Sequence, residues 1–393
     1  MQQKIKKISF YGLWLLKFSS LTTLFLIISF PLRFSKKYKN LWLISERPDE
    51  ARDNGYWLYE WLLKNHPDIN VRYVLDQKSV DYDKMPRKDL IIKPNSAKHY
   101  IYYILSSYSV STHMHGACPG KSFCIPFLPF MKRKKTIFLQ HGITKDAVKF
   151  RGKLDAIMAC SEQEKELIKS ANTRYKDKIY TVGFCRYDHL KNLADKENPK
   201  IILVMPTFRK WLRDIGRLQN ADKAFKETTY FKKWNSFLNS EELQKSLNQN
   251  HMQLIFFPHK EMQGLAHNFK TKNSHIKIGK PGEYDIQDLL KRSSILITDY
   301  SSVLFDFVYM NKPVIFYQFD QADFFSKHYP SSGKAYPFGD IFTNEQALID
   351  ELIKTIRRNC IIKDNYAKDI KGFFKYRDQH NCERNFKTIK GLK

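Results

Sequence analysis

Short apolar runs recur along the chain from residue 41, separated by longer amphipathic segments. Runs this short and this apolar predict strands buried on both faces. They fall at 41–45, 71–75, 90–92, 108–111, 136–139, 155–159 and 179–182, and again at 201–205, 254–257, 275–278, 295–297 and 314–317. Helical patterning fills 56–65, 99–106, 162–170, a long region at 221–250, 285–292, and the stretch from Ser302 to the breaker Pro313. Strands alternating with helices in this way predict parallel, doubly wound sheets. A polar, charged stretch at 186–200 interrupts the pattern and reads as a linker. The expected fold class is therefore α/β, with two Rossmann-like doubly wound domains facing a cleft, at 40–190 and 198–358. A basic helical tail is expected over 359–393.

Residues 1–39 stand apart. Phe10, Leu13, Trp14, Phe18, Leu21 and Phe25 recur at helical spacing. The uninterrupted apolar run, Phe18 to Leu32, is shorter than the about 20 residues a spanning helix needs. Lys4, Lys6 and Lys7 precede it, Arg33, Lys36, Lys37 and Lys39 follow it, and no small-residue cleavage site is present. The segment is expected to form a membrane-associated helix lying in the cytoplasmic leaflet, with its lysines on lipid phosphates. A core helix and a single span are the alternatives.

Charge narrows the partners. The chain carries 67 Lys and Arg against 40 Asp and Glu, a formal net charge of +27. That suits nucleic acid, an anionic membrane face or phosphate-rich substrates. No zinc-finger spacing, RNP-type motif or basic region with heptads occurs, so no nucleic acid partner is expected. The six cysteines, Cys118, Cys124, Cys160, Cys185, Cys360 and Cys382, contain no CxxC pair and read as free thiols of a reducing cytoplasm. No metal-ligand cluster with convincing spacing appears, so no tightly bound metal or cofactor is expected; a weakly bound Mg²⁺ stays open.

Four predicted strand ends carry chemistry. Gln140-His141-Gly142 follows the strand at 136–139, Pro206-Thr207-Phe208-Arg209 that at 201–205, and Pro258-His259-Lys260 that at 254–257. Thr298-Asp299-Tyr300-Ser301-Ser302 follows 295–297, where the next helix begins. A histidine accepts or donates a proton near neutral pH, and an arginine pairs with phosphate. Serines at a helix start either cap it or add hydroxyls to a bound anion. Together these groups predict a site for a diphosphate. The Walker glycine loop, GxGxxG and GxSxG are all absent.

The order of these motifs, with the late Asp378-Gln379-His380-Asn381-Cys382-Glu383-Arg384, resembles the CDP-glycerol glycerophosphotransferase family of teichoic-acid and capsule polymer synthesis. The resemblance covers roughly residues 40–390 and implies a GT-B-like fold in a peripheral protein on the cytoplasmic side of the cell membrane. It implies transfer of a polyol phosphate, from CDP-glycerol or CDP-ribitol, to a hydroxyl of a lipid-linked (prenyl diphosphate) glycan or polyol-phosphate acceptor, with release of CMP. Carried over, His141 and His259 are the catalytic candidates, His141 as general base. Arg209, Asp299, Ser301, Ser302, Glu383 and Arg384 are the donor-binding candidates. A GT-B glycosyltransferase using a nucleotide-sugar is the alternative. Gln140 and Ile143-Thr144 depart from the family's Trp-His-Gly-Thr-Pro, Phe257 replaces an expected Arg, and Gln379-His380-Asn381 replaces Gly-Asn. These changes bear on which polyol and acceptor are used more than on the reaction class.

Overall fold

A computed structural model of the chain describes residues 19–114, 117–122, 134–194, 200–280, 282–327 and 338–392. It divides into two compact units. Unit 1 holds the residues up to Ile143, Val148–Asp188 and Lys375 onward; unit 2 holds Thr144–Ala147 and His189–Phe374.

Unit 1 opens with helix α1 (residues 19–32) and contains β1 (Trp42–Ser45), α2 (Asn54–Asn65), β2 (Val71–Val74), β3 (Ile91–Ile92), α3 (Ala97–Leu105), β4 (Tyr108–Ser111), β5 (Lys135–Phe138), β6 (Ala156–Ala159), α4 (Glu162–Ala171) and β7 (Ile179–Thr181). The strands form one parallel sheet in the order β3-β2-β1-β4-β5-β6-β7. All seven match predicted runs, because strands covered on both faces cannot carry polar alternation. Ser96 and Ser161 cap α3 and α4 by accepting the N–H groups of His99 and Glu164. Glu46, fully buried, does the same work at α2, accepting N–H bonds from Arg52, Asp53 and Tyr56 at 2.7–3.1 Å.

The described part of the N-terminal segment is helical. Leu21, Phe25, Leu26 and Leu32 pack on the α3 cluster, and Phe25 stacks on Tyr100 at 5.0 Å. Leu24, Ile27, Ile28, Phe30 and Phe34 are exposed. Among the described residues no helix is long and apolar enough to cross a membrane. The predicted lysines and aromatics at 1–18, and Cys124, lie outside the described residues.

Unit 2 contains β8 (Ile201–Met205), α5 (Ala221–Lys226), α6 (Thr229–Leu238), α7 (Glu241–Gln249), β9 (Gln253–Phe256), β10 (Ile276–Ile278), α8 (Ile286–Arg292), β11 (Ile295–Thr298), α9 (Val303–Tyr309), β12 (Val314–Tyr317), α10 (Gln321–Lys327), β13 (Gly339–Phe342), α11 (Glu345–Arg357) and α12 (Asp364–Phe373). Its parallel sheet runs β10-β9-β8-β11-β12-β13. The long helical region at 221–250 is three helices, not one. Thr228 and Ser240 accept N–H bonds from Phe231 and Leu243 and restart the chain as α6 and α7. Strand β13 went unpredicted because its Gly339-Asp340 start breaks the apolar pattern that an edge strand does not need. Gly339 is required there, since a Cβ would sit 2.0 Å from the Val314 carbonyl oxygen. Lys312 is buried and donates to the carbonyls of Leu290 and Ser293 at 2.9 and 2.7 Å, closing the carboxyl end of α8.

The segment 359–393 is divided between the units. Helix α12 packs in unit 2, where Phe373 stacks on Phe305 at 5.5 Å. The final helix, α13 (Asn381–Lys390), returns to unit 1, burying Cys382, Phe386 and Ile389 against Trp42 and α2. Asp188 accepts the Asn381 and Cys382 N–H groups at 2.7 and 2.8 Å and fixes its start.

Candidate functional site

Both sheets reverse direction in their strand order, between β1 and β4 in unit 1 and between β8 and β11 in unit 2. The loops that leave the carboxyl ends of two such strands diverge, and a crevice opens between them.

In unit 1, Ser45 and Ser111 end the two flanking strands and their hydroxyls meet at 3.2 Å. Arg47 and His113 follow them. The Arg47 Nε donates to His113 Nε2 at 3.3 Å, which leaves the other ring nitrogen of His113 to donate to Thr112 Oγ1 at 3.1 Å. His141, from the end of neighbouring β5, lies parallel to His113 with centroids 4.9 Å apart and planes 7° apart. The residue before it, Gln140, has φ of 58°, a left-handed conformation that a non-glycine residue holds only when its surroundings compel it. Here they do. Gln140 is buried; its amide donates to the Met158 carbonyl at 2.6 Å and to Glu164 Oε1 at 3.1 Å, and its own carbonyl accepts from Asn54 at 2.7 Å. The strained turn aims His141 outward while its predecessor points into the fold.

His141 remains exposed to solvent, but crowding by protein, then the positive charges of Arg186 and Arg47, hold its pKa below 6.5. The Thr112 backbone acts in the opposite direction but does not offset these effects. Burial, then His141 and Arg47, push His113 down to about 3, so it stays neutral at any physiological pH. Arg186 is itself buried and paired with Asp53 at 2.8 Å. The structure thus presents a neutral imidazole base on a rigid support.

In unit 2, Arg209 and Asp299 come from the two strands flanking the crevice, and both are fully buried. Arg209 pairs with Asp299 at 2.9 Å and with Asp320 at 2.7 and 3.1 Å, and donates to the Thr207 carbonyl at 2.6 Å. The rings of Tyr230, Tyr300 and Phe324 surround it at 5.1–5.2 Å. Burial lowers the pKa of the guanidinium, but the two carboxylates more than offset it and hold it above its ordinary value. Asp299 also accepts from the N–H groups of Thr207 and Tyr300 at 2.8 and 2.6 Å. Arg209 and Asp299, both expected at the donor, are thus paired in the structure with each other and with Asp320. Their side chains are spent on each other and on tying together the loops after β8 and β11.

The Thr-Asp-Tyr-Ser-Ser motif accordingly has an inward and an outward half. Thr298 donates to the Met205 carbonyl at 2.7 Å, Asp299 holds Arg209, and Tyr300 donates to Asp320 at 3.2 Å. Ser301 and Ser302 stay partly exposed; Ser301 Oγ accepts the Val303 N–H at 3.3 Å, and Ser302 makes no side-chain cap. Lys145, of the short segment that packs with unit 2, donates to the Tyr300 carbonyl; burial lowers its pKa against the opposing pull of Asp146 and Asp299. His259 is exposed beside Phe208, centroids 4.9 Å apart. Its Nδ1 accepts the Glu261 N–H at 3.2 Å, which puts the proton on Nε2 and makes that atom a donor.

Glu383 and Arg384 fold into unit 1 on α13. Arg384 holds Asp378 through two bonds of 2.7 and 2.8 Å, donates to Asn381 and to the Val182 carbonyl, and lies over the Tyr376 ring at 3.8 Å. This pairing pulls the Asp378 carboxyl down to about 2. Glu383 pairs with Lys387 and His380. Arg384 thus ties α13 to the end of β7, while Glu383 pairs within α13 and with its N-cap residue. The residues missed from sequence are Arg47, His113, Arg186, Lys145 and Asp320. His113 and Arg47 carried a usable signal, since each lies within two residues of a predicted strand's carboxyl end. Nothing in the sequence marked Asp320 as the partner of Arg209.

The chain is similar to known proteins in sequence and in fold. The family model described as CDP-Glycerol:Poly(glycerophosphate) glycerophosphotransferase matches residues 26–391. The minor teichoic acid biosynthesis protein GgaB of Bacillus subtilis (strain 168) is 31% identical over 362 residues, 89% of this chain and 40% of that protein. A teichoic acid poly(glycerol phosphate) polymerase of Staphylococcus epidermidis is 22% identical over 391 residues, 87% of this chain and 51% of that protein. The chain thus spans two fifths to one half of the length of these relatives. A variant of the wall teichoic acid polymerase TagF soaked with CDPG shares the fold, with a TM-score of 0.69 at 17% identity over 94% of this chain and 92% of that one.

Proposed function

We propose that this chain, which belongs to the CDP-glycerol:poly(glycerophosphate) glycerophosphotransferase family, moves a polyol phosphate from a CDP-polyol to a hydroxyl of a lipid-linked acceptor and releases CMP. The observation that carries the proposal is the neutral, rigidly aimed His141. Its basic ring nitrogen takes the proton of the acceptor hydroxyl. The hydroxyl oxygen forms a bond to the phosphorus that bears the polyol; the bond from that phosphorus to the bridging oxygen breaks, and CMP leaves with the electron pair. Unit 2 takes the donor role. His259 Nε2–H and the hydroxyls of Ser301 and Ser302 donate to diphosphate oxygens, while Arg209 and Asp299 keep their loops in place. CDP-glycerol is the proposed donor, because the family and a Staphylococcus epidermidis relative are named for glycerol phosphate, and the proposed location is the cytoplasmic face of a membrane. Support for that location comes from the apolar face of α1 and the net charge of +27.

The test is to incubate the full chain with a prenyl-diphosphate-linked disaccharide and a panel of CDP-glycerol, CDP-ribitol and nucleotide-sugars, and to weigh the products by mass spectrometry. CMP release with a phosphodiester-linked polyol on the acceptor is expected. Sugar transfer with no CMP from either CDP-polyol would replace this reading with a glycosyltransferase. Within the active system, His259→Gln is expected to raise the KM for the CDP-polyol by roughly 10- to 100-fold, the loss of one bond to a charged group. An unchanged KM would remove His259 from the donor site.

A further inference from the structure

The amino ends of the unit 1 strands, away from His113 and His141, hold a polar cavity of about 610 Å³. Trp42 and Tyr108, at the starts of β1 and β4, form part of its wall with rings 4.6 Å apart. Lys36, Lys37, Lys39, Arg72 and Lys390 line it, and Asp68 is the one carboxylate among its lining residues. No ion pair joins any of these four lysines to an acid among the described residues. Four-residue strands rising about 3.3 Å per residue put more than about 10 Å between this cavity and the histidine pair.

The cavity is built rather than accidental. Asn70 donates to the carbonyls of Lys37 and Lys39, at 2.7 and 3.4 Å, and so holds the lysine turn to the start of β2. Ser35 Oγ accepts the Lys37 N–H, and Tyr38, buried between the exposed lysines, packs edge-on against Tyr102 at 5.2 Å. Arg72 is half-buried, bonded through Nη1 to Asn70 and to the Val71 carbonyl. The turn that carries Lys36, Lys37 and Lys39 and the Arg72 side chain are thereby held, with Lys390, around one concave site whose positive potential attracts an anion.

Its neighbour in the chain says which anion. Leu24, Ile27 and Ile28 lie at helical spacing on the outer face of α1, and Ile27, Phe30 and Phe34 are 68%, 58% and 80% exposed. Phe34 stands two residues before the lysine turn. An apolar helix face that runs directly into a basic cavity matches the boundary between acyl chains and phosphate headgroups.

We propose that this cavity is a binding site for the phosphate headgroup of an anionic phospholipid, seated as the outer face of α1 enters the same leaflet. The inference rests on the membrane location proposed above and adds a defined headgroup site, separate from the catalytic crevice.

Sedimentation of the full chain with phosphatidylcholine vesicles, with and without phosphatidylglycerol, tests it. The triple variant Lys36→Gln, Lys39→Gln, Lys390→Gln is expected to lose on the order of 10- to 100-fold in partition onto phosphatidylglycerol vesicles. A control variant with the same charge change, Lys245→Gln, Lys270→Gln, Lys272→Gln, is expected to lose less than about 3-fold. Equal losses in the two variants would overturn the headgroup site while leaving membrane binding intact. Failure of the unaltered chain to bind either vesicle would overturn the membrane location itself. A Leu24→Ser, Ile27→Ser variant is expected to bind both vesicle types less. If it instead changes oligomeric state or thermal unfolding with vesicle binding unchanged, the chain or a second copy covers that face, and the proposal falls.

Discussion

Replacing His141 with Gln is expected to lower the rate of polyol phosphate transfer by on the order of 10²–10⁴-fold, the usual contribution of a general base. The fold should survive, because the ring reaches solvent and the strained turn beneath it is held by Gln140 rather than by His141. Steady-state release of CMP, with circular dichroism as the folding control, makes the comparison. A variant within about threefold of the unaltered protein would remove His141 from the mechanism. The pH profile gives an independent reading. The base acts only when neutral, so activity falls as pH drops through its pKa in the folded protein. Crowding, then Arg186 and Arg47, set that pKa below 6.5; the acidic limb of kcat/KM should therefore lie below pH 6.5. Removing a neighbouring positive charge with Arg47→Met makes the protonated ring easier to form. The limb should then move to higher pH, by up to about one unit. A shift to lower pH would contradict the electrostatic account.

Arg209→Met is expected to destabilise unit 2 by about 3–5 kcal/mol. The cost arises less from the lost attraction than from what stays behind. Asp299 and Asp320 would be left in a cage of Tyr230, Tyr300 and Phe324 without their shared counter-charge. The loops after β8 and β11 would also lose a common anchor, so Ser301 and Ser302 should become less ordered. Urea unfolding followed by hydrogen exchange resolved to unit 2 measures both effects. The triple variant Arg209→Met, Asp299→Asn, Asp320→Asn should recover much of the loss, since neutral partners of similar size do not carry the penalty of an unpaired buried charge. A loss below about 1 kcal/mol for Arg209→Met would show that the cage is worth no more than a surface pair. Such a result would return Arg209 to the role of a ligand-binding cation.

Within each unit, exposed polar groups at the strand ends stand on buried, paired ones. Sequence patterning located the strand ends well because parallel strands buried on both faces have to be continuous apolar runs. His141, His259, Ser301 and Ser302 were legible for that reason, each sitting directly after such a run. The same reasoning could not tell Arg209 from Ser301. Both follow a strand, but one points into the protein and the other out of it, and a loop has no periodicity to give direction.

What the sequence by itself determined is local. It set twelve of the thirteen strands among the described residues, the doubly wound class, and the histidines at strand ends. Each of these follows from residues close together in the chain. Tertiary structure decided which of the polar groups are partners. Arg209 meets Asp320 across 111 positions and Arg47 meets His113 across 66. His113 stacks on His141 because β4 and β5 are hydrogen-bonded neighbours. The return of α13 to unit 1, where Asp188 waits for its first N–H groups, depends likewise on a contact 193 positions long. Burial and pairing at such separations arise only when the sheets have formed. They pair Arg209 with Asp299, two expected donor-binding residues, between the loops that leave β8 and β11.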